Sequence, residues 1–290
     1  MPNAVEPSSA SPAALAEAYA LLSEADGAAW RPLAGGTDLM VTITGEIGEP
    51  PARVLDIWGL DELRGIQVTA DALVIGALTT YTELRRSPEV GELAPALAEA
   101  AATIGAAQIQ NRGTLGGNVV NASPAGDTLP VLLALDAVMV LGSARGERTV
   151  AAGDFWPSYR VTARSDDELL LRIRIPRVDG RQVRFRKIGT RRAQAISKVV
   201  MALAWRSQGD DAPWSDTRLA IGSVAATTIR VPTVEAVLDG SSPTRPTADA
   251  AAAALTEAIE PIDAVRSTAA YRRLVAGRVL HRLIRDEGGW

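Results

Sequence analysis

Apolar positions in the first part of the chain alternate between helical and strand-like spacing. They recur at helical intervals over 13–22, and they form short runs at 30–34 and 54–57 that are typical of strands. The segment 38–43, between these two runs, has the length and apolar character of a short helix. The pattern therefore predicts a βαβ-like lobe over residues 1–58.

The middle of the chain mixes short strands with longer helical stretches. Residues 72–76 form a continuous apolar run, and residues 169–175 alternate between apolar and polar positions until a proline ends them. The spacing over 88–102 predicts a helix. Because turn residues follow at 178–182, a second lobe is expected over residues 59–177.

The C-terminal part has a different rhythm. Strand-like runs separated by turn-rich segments predict an antiparallel sheet, and helical spacing then dominates. The predicted strands are 183–188, 198–205 and 219–225, and the predicted helices are 232–238, 248–259 and 267–285. We therefore expect an α+β protein whose C-terminal domain, residues 183–290, packs an antiparallel sheet with helices.

Two glycine loops interrupt these elements. The first is Leu33-Ala34-Gly35-Gly36-Thr37-Asp38-Leu39, and the second is Gly113-Thr114-Leu115-Gly116-Gly117-Asn118. Adjacent glycines permit positive φ and close approach, so consecutive backbone N–H groups can converge on an anion, above all where the turn leads into a helix. Together the loops would hold the two phosphates of a dinucleotide. A lone turn like the first loop is more often an ordinary strand-to-helix connection, and the second loop alone is equally compatible with an ordinary turn.

The composition narrows the function classes. The 290 residues carry a net charge of −4 without a dense basic stripe, which argues against nucleic acid as a partner. No apolar run approaches the roughly 18 residues of a spanning helix, so no membrane insertion is expected. No basic residue occurs before Arg31, so the N-terminus lacks the positively charged region that begins a signal peptide. The chain has no cysteine, so it offers no thiolate to an iron–sulfur cluster. We expect no metal site in this chain and a cytoplasmic location.

Four blocks of sequence, in this order, resemble the flavin subunit of the molybdenum hydroxylases, the xanthine dehydrogenase and carbon monoxide dehydrogenase group. The blocks are Ala34 to Leu39, Ile75 to Leu84, Asn111 to Pro130, and Phe185 to Ser197. The resemblance implies a two-lobed N-terminal FAD-binding region of the PCMH type, with FAD in the cleft between the lobes, followed by the C-terminal α+β domain.

By the same resemblance, particular residues would contact a noncovalently bound FAD. The first loop would wrap the pyrophosphate, Thr114 would bond a phosphate or the ribityl chain, and Asp127 would accept from a ribose hydroxyl. Leu170 and Lys187 would contact the flavin end, and Ile104 matches a position where some relatives carry an aromatic residue that stacks on the flavin. The full predicted set is Leu33, Ala34, Gly35, Gly36, Thr37, Asp38, Leu39, Met40, Ile104, Thr114, Leu115, Gly116, Gly117, Asn118, Asp127, Leu170 and Lys187.

Two of these residues also have ordinary structural interpretations. Asp127 is placed to cap the helix predicted from Leu129. Lys187, on a predicted strand, is in a position where lysine is most often exposed to solvent.

The resemblance also implies partners. A large subunit with a molybdenum cofactor would oxidise the substrate, two [2Fe–2S] clusters on a small subunit would pass the electrons to FAD, and NAD, oxygen or a quinone would accept them. The assembly would be a dimer of heterotrimers. Because the cofactor carries the redox chemistry, no catalytic acid or base is expected in this chain.

Two other functions stay open from the sequence. One is a stand-alone flavin oxidoreductase that acts directly on a small molecule, and the other is a scaffold subunit that has lost FAD. The intact glycine loops argue against the scaffold, since a lost ligand would remove the reason for them. The cofactor content and the co-purifying chains would separate these alternatives.

Overall fold

The computed structural model describes residues 6–24, 27–44, 49–191, 194–209 and 212–290. Residues 1–5 of the predicted first lobe lie outside the described residues. Parallel and antiparallel sheets occupy separate parts of the chain and pack with helices, so the α+β fold class is confirmed. No helix in the described ranges combines the length and the apolar character needed to span a bilayer.

The first lobe is built on a parallel sheet. Its elements are β1 (Ser8–Ala10), α1 (Leu15–Leu22), β2 (Trp30–Leu33), α2 (Leu39–Ile43) and β3 (Arg53–Asp56). The strand order is β1-β3-β2, and both pairs are parallel, so β2, α2 and β3 form the expected βαβ unit. The sequence analysis did not predict β1, because its Ser-Ser-Ala sequence has no strand-like apolar run.

The second lobe is built on an antiparallel sheet of order β4-β5-β8-β6-β7. Its strands are β4 (Ile66–Val68), β5 (Ala72–Gly76), β6 (Val138–Ser143), β7 (Gly146–Ala151) and β8 (Leu169–Pro176). Its helices are α3 (Tyr81–Arg86), α4 (Pro88–Leu93), α5 (Pro95–Thr103), α6 (Ala107–Gln110), α7 (Leu115–Asn121), α8 (Leu129–Ala134) and α9 (Ala152–Phe155). The single helix predicted over 88–102 is divided at Pro95, because proline disfavours helical geometry in the residue before it.

The C-terminal unit is an antiparallel sheet of order β12-β11-β10-β9 with three helices. The strands are β9 (Arg181–Ile188), β10 (Val199–Arg206), β11 (Ser215–Gly222) and β12 (Ile229–Arg230), and the helices are α10 (Pro232–Leu238), α11 (Arg245–Ala258) and α12 (Ala269–Gly288). Because β9 already begins at Arg181, the turn after β8 is shorter than the sequence predicted.

Strand β10 joins two hydrophobic cores. Its side chains alternate between the two faces of the sheet, as strand geometry requires. Val200 and Ala202 belong to the core that also contains helices of the second lobe, whereas Met201 and Leu203 belong to a core formed with the C-terminal helices. The C-terminal sheet is therefore buried on both faces and holds the second lobe from behind.

Candidate functional site

A cleft of about 420 Å³ is lined by both N-terminal lobes. The segment from Leu33 to Leu39 lines it from the first lobe. Residues of α7 and the start of β8, including Leu170, line it from the second lobe. The volume falls within the range of small-molecule sites, about 300–1,000 Å³. The cleft is therefore the candidate ligand site of the molecule.

The two glycine loops meet at this cleft. Gly35 lies so close to the Arg112 carbonyl oxygen that an added Cβ would overlap it. The Tyr81 N–H donates to the Gly113 carbonyl at 3.1 Å, which ties the second loop to the start of α3. The loops are far apart in sequence but form one continuous surface.

The first loop has unused hydrogen-bond donors. Gly36 has a φ of 77°, which glycine adopts without steric cost. Within the described ranges, the backbone N–H groups of Gly35, Gly36, Thr37 and Asp38 donate to no protein atom. Backbone groups seldom stay unpaired away from water, and successive N–H groups in a turn make a concave anion site. The first loop is thus suited to an anionic ligand.

In the second loop, three successive backbone N–H groups donate to acceptors within the protein. The Leu115 N–H donates to the Thr79 carbonyl at 2.9 Å, the Gly116 N–H donates to the Ala77 carbonyl at 2.9 Å, and the Gly117 N–H donates to Thr114 Oγ1 at 3.0 Å. Thr114 is the N-cap of α7. In the described part of the chain its hydroxyl hydrogen lacks an acceptor, as do the Thr114 backbone N–H and the side-chain amide of Asn118, so these groups of the loop can donate to a ligand.

Most of the predicted contact residues line the cleft. They are Leu33, Ala34, Gly35, Gly36, Thr37, Asp38, Leu39, Ile104, Thr114, Gly116, Gly117, Asn118 and Leu170. The others are not among the cleft-lining residues: Met40 is 46% exposed, Leu115 is fully buried in the core of the second lobe, and Asp127 and Lys187 form a buried pair with each other.

Asp127 and Lys187 form a buried ion pair between the second lobe and the C-terminal unit. Their side chains are 7% and 6% exposed, and Lys187 Nζ lies 2.5 Å from Asp127 Oδ2. Ser197 and Thr103 also donate to this carboxylate, and Lys187 donates to the Thr103 carbonyl at 3.3 Å. Burial raises the pKa of the Asp127 carboxyl, and these hydrogen bonds and the Lys187 charge oppose the rise.

This ion pair corrects two structural interpretations made from the sequence. The N-cap of α8 is Thr128, so Asp127 does not cap that helix. Lys187 is buried rather than solvent-exposed, because a carboxylate from another part of the chain balances its charge. The pair is hydrogen-bonded to Thr103, which precedes the cleft residue Ile104 in the chain.

Several cleft residues were missed by the sequence analysis. They are Arg31, Pro32, Thr42, Ile57, Ala77, Leu78, Tyr81, Ile109, Val120, Asn121, Arg160, Arg164 and Leu169. The block Ile75 to Leu84, which carried the family resemblance, contains Ala77, Leu78 and Tyr81. It could therefore have indicated these three residues as part of the site. The arginines Arg31, Arg160 and Arg164 had no such signal in the sequence, because they lie in a short strand and an irregular turn without a motif.

Burial raises the pKa of the Tyr81 hydroxyl, so this group is protonated at neutral pH.

The fold and the cleft define the two-lobed class of FAD-binding flavoproteins. Residues 5–178 match the family model described as the FAD binding domain in molybdopterin dehydrogenase. Residues 184–286 match the model described as the CO dehydrogenase flavoprotein C-terminal domain. The chain belongs to the flavoprotein family that these two domains define.

Individual relatives agree with this assignment. The chain is 32% identical to the carbon monoxide dehydrogenase medium chain of Hydrogenophaga pseudoflava, with 94% of each chain covered. It is also 32% identical to the nicotinate dehydrogenase FAD-subunit of Eubacterium barkeri, with 96% of each covered. Among solved structures, carbon monoxide dehydrogenase from Hydrogenophaga pseudoflava superposes with a TM-score of 0.90 at 32% identity over 96% of both chains. Quinoline 2-oxidoreductase from Pseudomonas putida 86 gives a TM-score of 0.90 at 27% identity over 98% of both.

The residues present in the cleft fit FAD. The unpaired N–H groups of the first loop suit a diphosphate. Apolar side chains, among them Ile57, Ile104 and Leu170, suit flat ring systems. Within the described ranges, no three histidine or acidic side chains are grouped as metal ligands.

Proposed function

We propose that this chain is the FAD-binding electron-transfer subunit of a multi-subunit molybdenum-dependent hydroxylase or dehydrogenase. One observation carries the proposal: the unpaired N–H groups of Gly35 to Asp38 line a cleft in a chain whose N-terminal part matches an FAD-binding domain. FAD, when bound there, supplies the redox chemistry. The chain itself binds and orients the cofactor, and no side chain serves as a catalytic acid or base.

Each wall of the cleft has a separate task in this proposal. The first-loop N–H groups bind the diphosphate, and the Thr114 hydroxyl donates to a phosphate or the ribityl chain. Ile104 and Leu170 provide apolar contacts to the rings. Asp127 and Lys187 hold the C-terminal unit against the second lobe and are hydrogen-bonded to Thr103, which precedes Ile104 in the chain. They position this part of the cleft wall, and their direct contact with FAD stays a prediction.

The remaining redox centres belong to partner chains. We propose an iron–sulfur small subunit with [2Fe–2S] clusters and a molybdenum large subunit, assembled as a dimer of heterotrimers in the cytoplasm. Two facts support this: the chain has no cysteine for a cluster, and its relatives include proteins named as a medium chain and an FAD-subunit. NAD, oxygen or a quinone is the terminal acceptor.

Purification of the native complex through a tag on this chain tests the proposal. We expect about one FAD per chain, released by acid because it is noncovalent, together with iron and molybdenum in co-purifying chains. A folded chain that takes up no FAD would contradict the proposal. A fully flavinylated chain that associates with no metal-containing partner would instead support a stand-alone flavin oxidoreductase.

A further inference from the structure

Three arginines line the same cleft as the first glycine loop. Arg31 comes from β2 of the first lobe, and Arg160 and Arg164 come from the segment between α9 and β8 of the second lobe. They approach the cleft from both lobes. A ligand held among them would therefore contact both sides of the cleft.

These arginines differ from those arginines of the protein that are closely paired with a carboxylate. Arg174, for example, lies 2.6 Å from Asp71, and Arg184 lies 2.6 Å from Glu287. Within the described ranges, neither Arg31 nor Arg160 forms an ion pair. Arg164 reaches only the solvent-exposed Asp166, at 3.9 Å. In the described ranges, Arg31 and Arg160 thus bring guanidinium charges to the cleft without a carboxylate at ion-pair distance, and Asp38 is the acidic residue among the cleft-lining residues.

Arg164 is the most constrained of the three. Its side chain is 12% exposed, and its Nη1 donates to the carbonyls of Ser165 at 2.7 Å and Glu168 at 2.8 Å. Its Nε is buried without a hydrogen-bond partner in the described structure. Burial lowers the pKa of Arg164, Asp166 opposes this, and the positive charge of Arg31 lowers it further. A buried donor beside a like charge is relieved by an anion.

Arg160 is held toward the cleft by a tight turn. Its φ of 55° lies in the left-handed region, which is uncommon for a residue with a side chain and costs conformational energy. The turn is closed by a hydrogen bond from the Val161 N–H to the Ser158 carbonyl at 3.1 Å. Arg160 Nη1 donates to Asn121 Oδ1 at 2.8 Å, which fixes the guanidinium at the end of α7.

We propose that Arg31, Arg160 and Arg164 form a cationic clamp for the diphosphate of the dinucleotide, opposite the first-loop N–H groups. The inference rests on the proposed function and adds the residues that provide the full charges. Backbone N–H groups supply only partial positive charge, whereas a diphosphate carries formal negative charges that guanidinium groups match in geometry and sign. Because nucleosides lack the negative charges that the clamp binds, the clamp selects ligands that contain a diphosphate over nucleosides.

Binding of FAD, ADP and adenosine to the purified full chain, measured by calorimetry, tests this clamp. The variants are R31M, which removes an exposed charge with no partner, R164M, and R164K, which keeps the charge. R174M is the matched control, since Arg174 lies in the second lobe but is paired with Asp71 outside the cleft. Thermal unfolding of each variant without ligand reports any structural damage.

We expect R164M to weaken FAD and ADP about tenfold, R31M to weaken both several-fold, and R164K to recover part of the loss. Adenosine affinity should stay unchanged, and wild-type affinity for ADP should fall with salt. Equal losses for adenosine would place the arginines on the adenine instead and overturn the clamp. Wild-type affinities in R31M and R164M would overturn it as well, while FAD binding by the wild type leaves the proposed function standing. If the wild type binds neither FAD nor ADP, both proposals fail.

Discussion

The two glycine loops look alike in sequence and differ in what their backbones do. Both have adjacent glycines next to a threonine and a short helix. The first keeps its N–H groups from Gly35 to Asp38 unpaired at the cleft, while the N–H groups of Leu115 to Gly117 in the second are used within the protein. A glycine motif therefore shows where backbone comes close, but only the hydrogen-bond partners show whether it receives a ligand or joins two parts of the fold.

Gly35→Ala should have the largest effect on stability and on FAD binding, because it disrupts the contact between the two loops. The added Cβ would overlap the Arg112 carbonyl oxygen, and backbone on both sides leaves little room to relax. We expect a loss of about 5 kcal/mol or more in the free energy of unfolding, and no flavin in the purified protein. Gly59→Ala is the control, since nothing lies within 4 Å of its added Cβ. A stable, yellow Gly35→Ala protein would show that the loops do not need this contact.

Lys187→Met tests whether the residues downstream of the second loop are structural. Removing one member of a buried ion pair leaves Asp127 uncompensated, so urea unfolding should show a loss of about 3–5 kcal/mol. Lys198→Met, at the residue just before β10, is the control, because Lys198 Nζ lies 4.9 Å from the Tyr271 ring centroid. Unchanged stability together with lost FAD affinity would indicate that Lys187 contacts the ligand directly.

Gly36→Ala should separate binding from stability at the first loop. A side chain at a φ of 77° costs about 1–2 kcal/mol, and it disturbs the alignment of the unpaired N–H groups. We expect FAD affinity to fall about tenfold or more in a fluorescence titration, with a modest drop in melting temperature. The opposite ranking, a large stability loss with normal FAD affinity, would make the first loop structural.

Thr114→Ala should give the smallest effect, a modest loss of both stability and FAD affinity, because the hydroxyl caps α7 and in the proposed function donates to the ligand. The substitution removes the N-cap of α7, which typically costs about 1 kcal/mol. Thr114→Ser keeps the capping oxygen and should recover most of that loss. A fall in FAD affinity that exceeds the stability loss would mean that the second loop binds the ligand more directly than its saturated N–H groups indicate.

Much of the fold followed from local pattern. The βαβ unit around the first loop and the antiparallel C-terminal strands were predicted because apolar spacing and turn residues are visible in sequence. The division of a helix at Pro95 was overlooked, although proline is a local signal. The short β1 had no apolar run to indicate it; it pairs with β3, and its Ala10 packs against the neighbouring core.

The site was less predictable, since its decisive contacts join distant segments. The N–H groups of Leu115 and Gly116 donate to the carbonyls of Thr79 and Ala77, and although these residues lie in a block that carried the resemblance, the sequence does not show which backbone groups pair. The Asp127–Lys187 pair forms only because β9 packs behind the second lobe. The cleft arginines come from separate segments of the chain, and only the fold brings them to one cleft.

Amide hydrogen exchange with and without FAD tests the central claim most directly, because it reads both loops in one experiment. Without ligand, the amides of Gly35 to Asp38 should exchange fast, and those of Leu115 to Gly117 should already be protected by their hydrogen bonds. FAD should slow exchange strongly in the first loop and change the second little. Strong new protection in the second loop, with none in the first, would contradict the account.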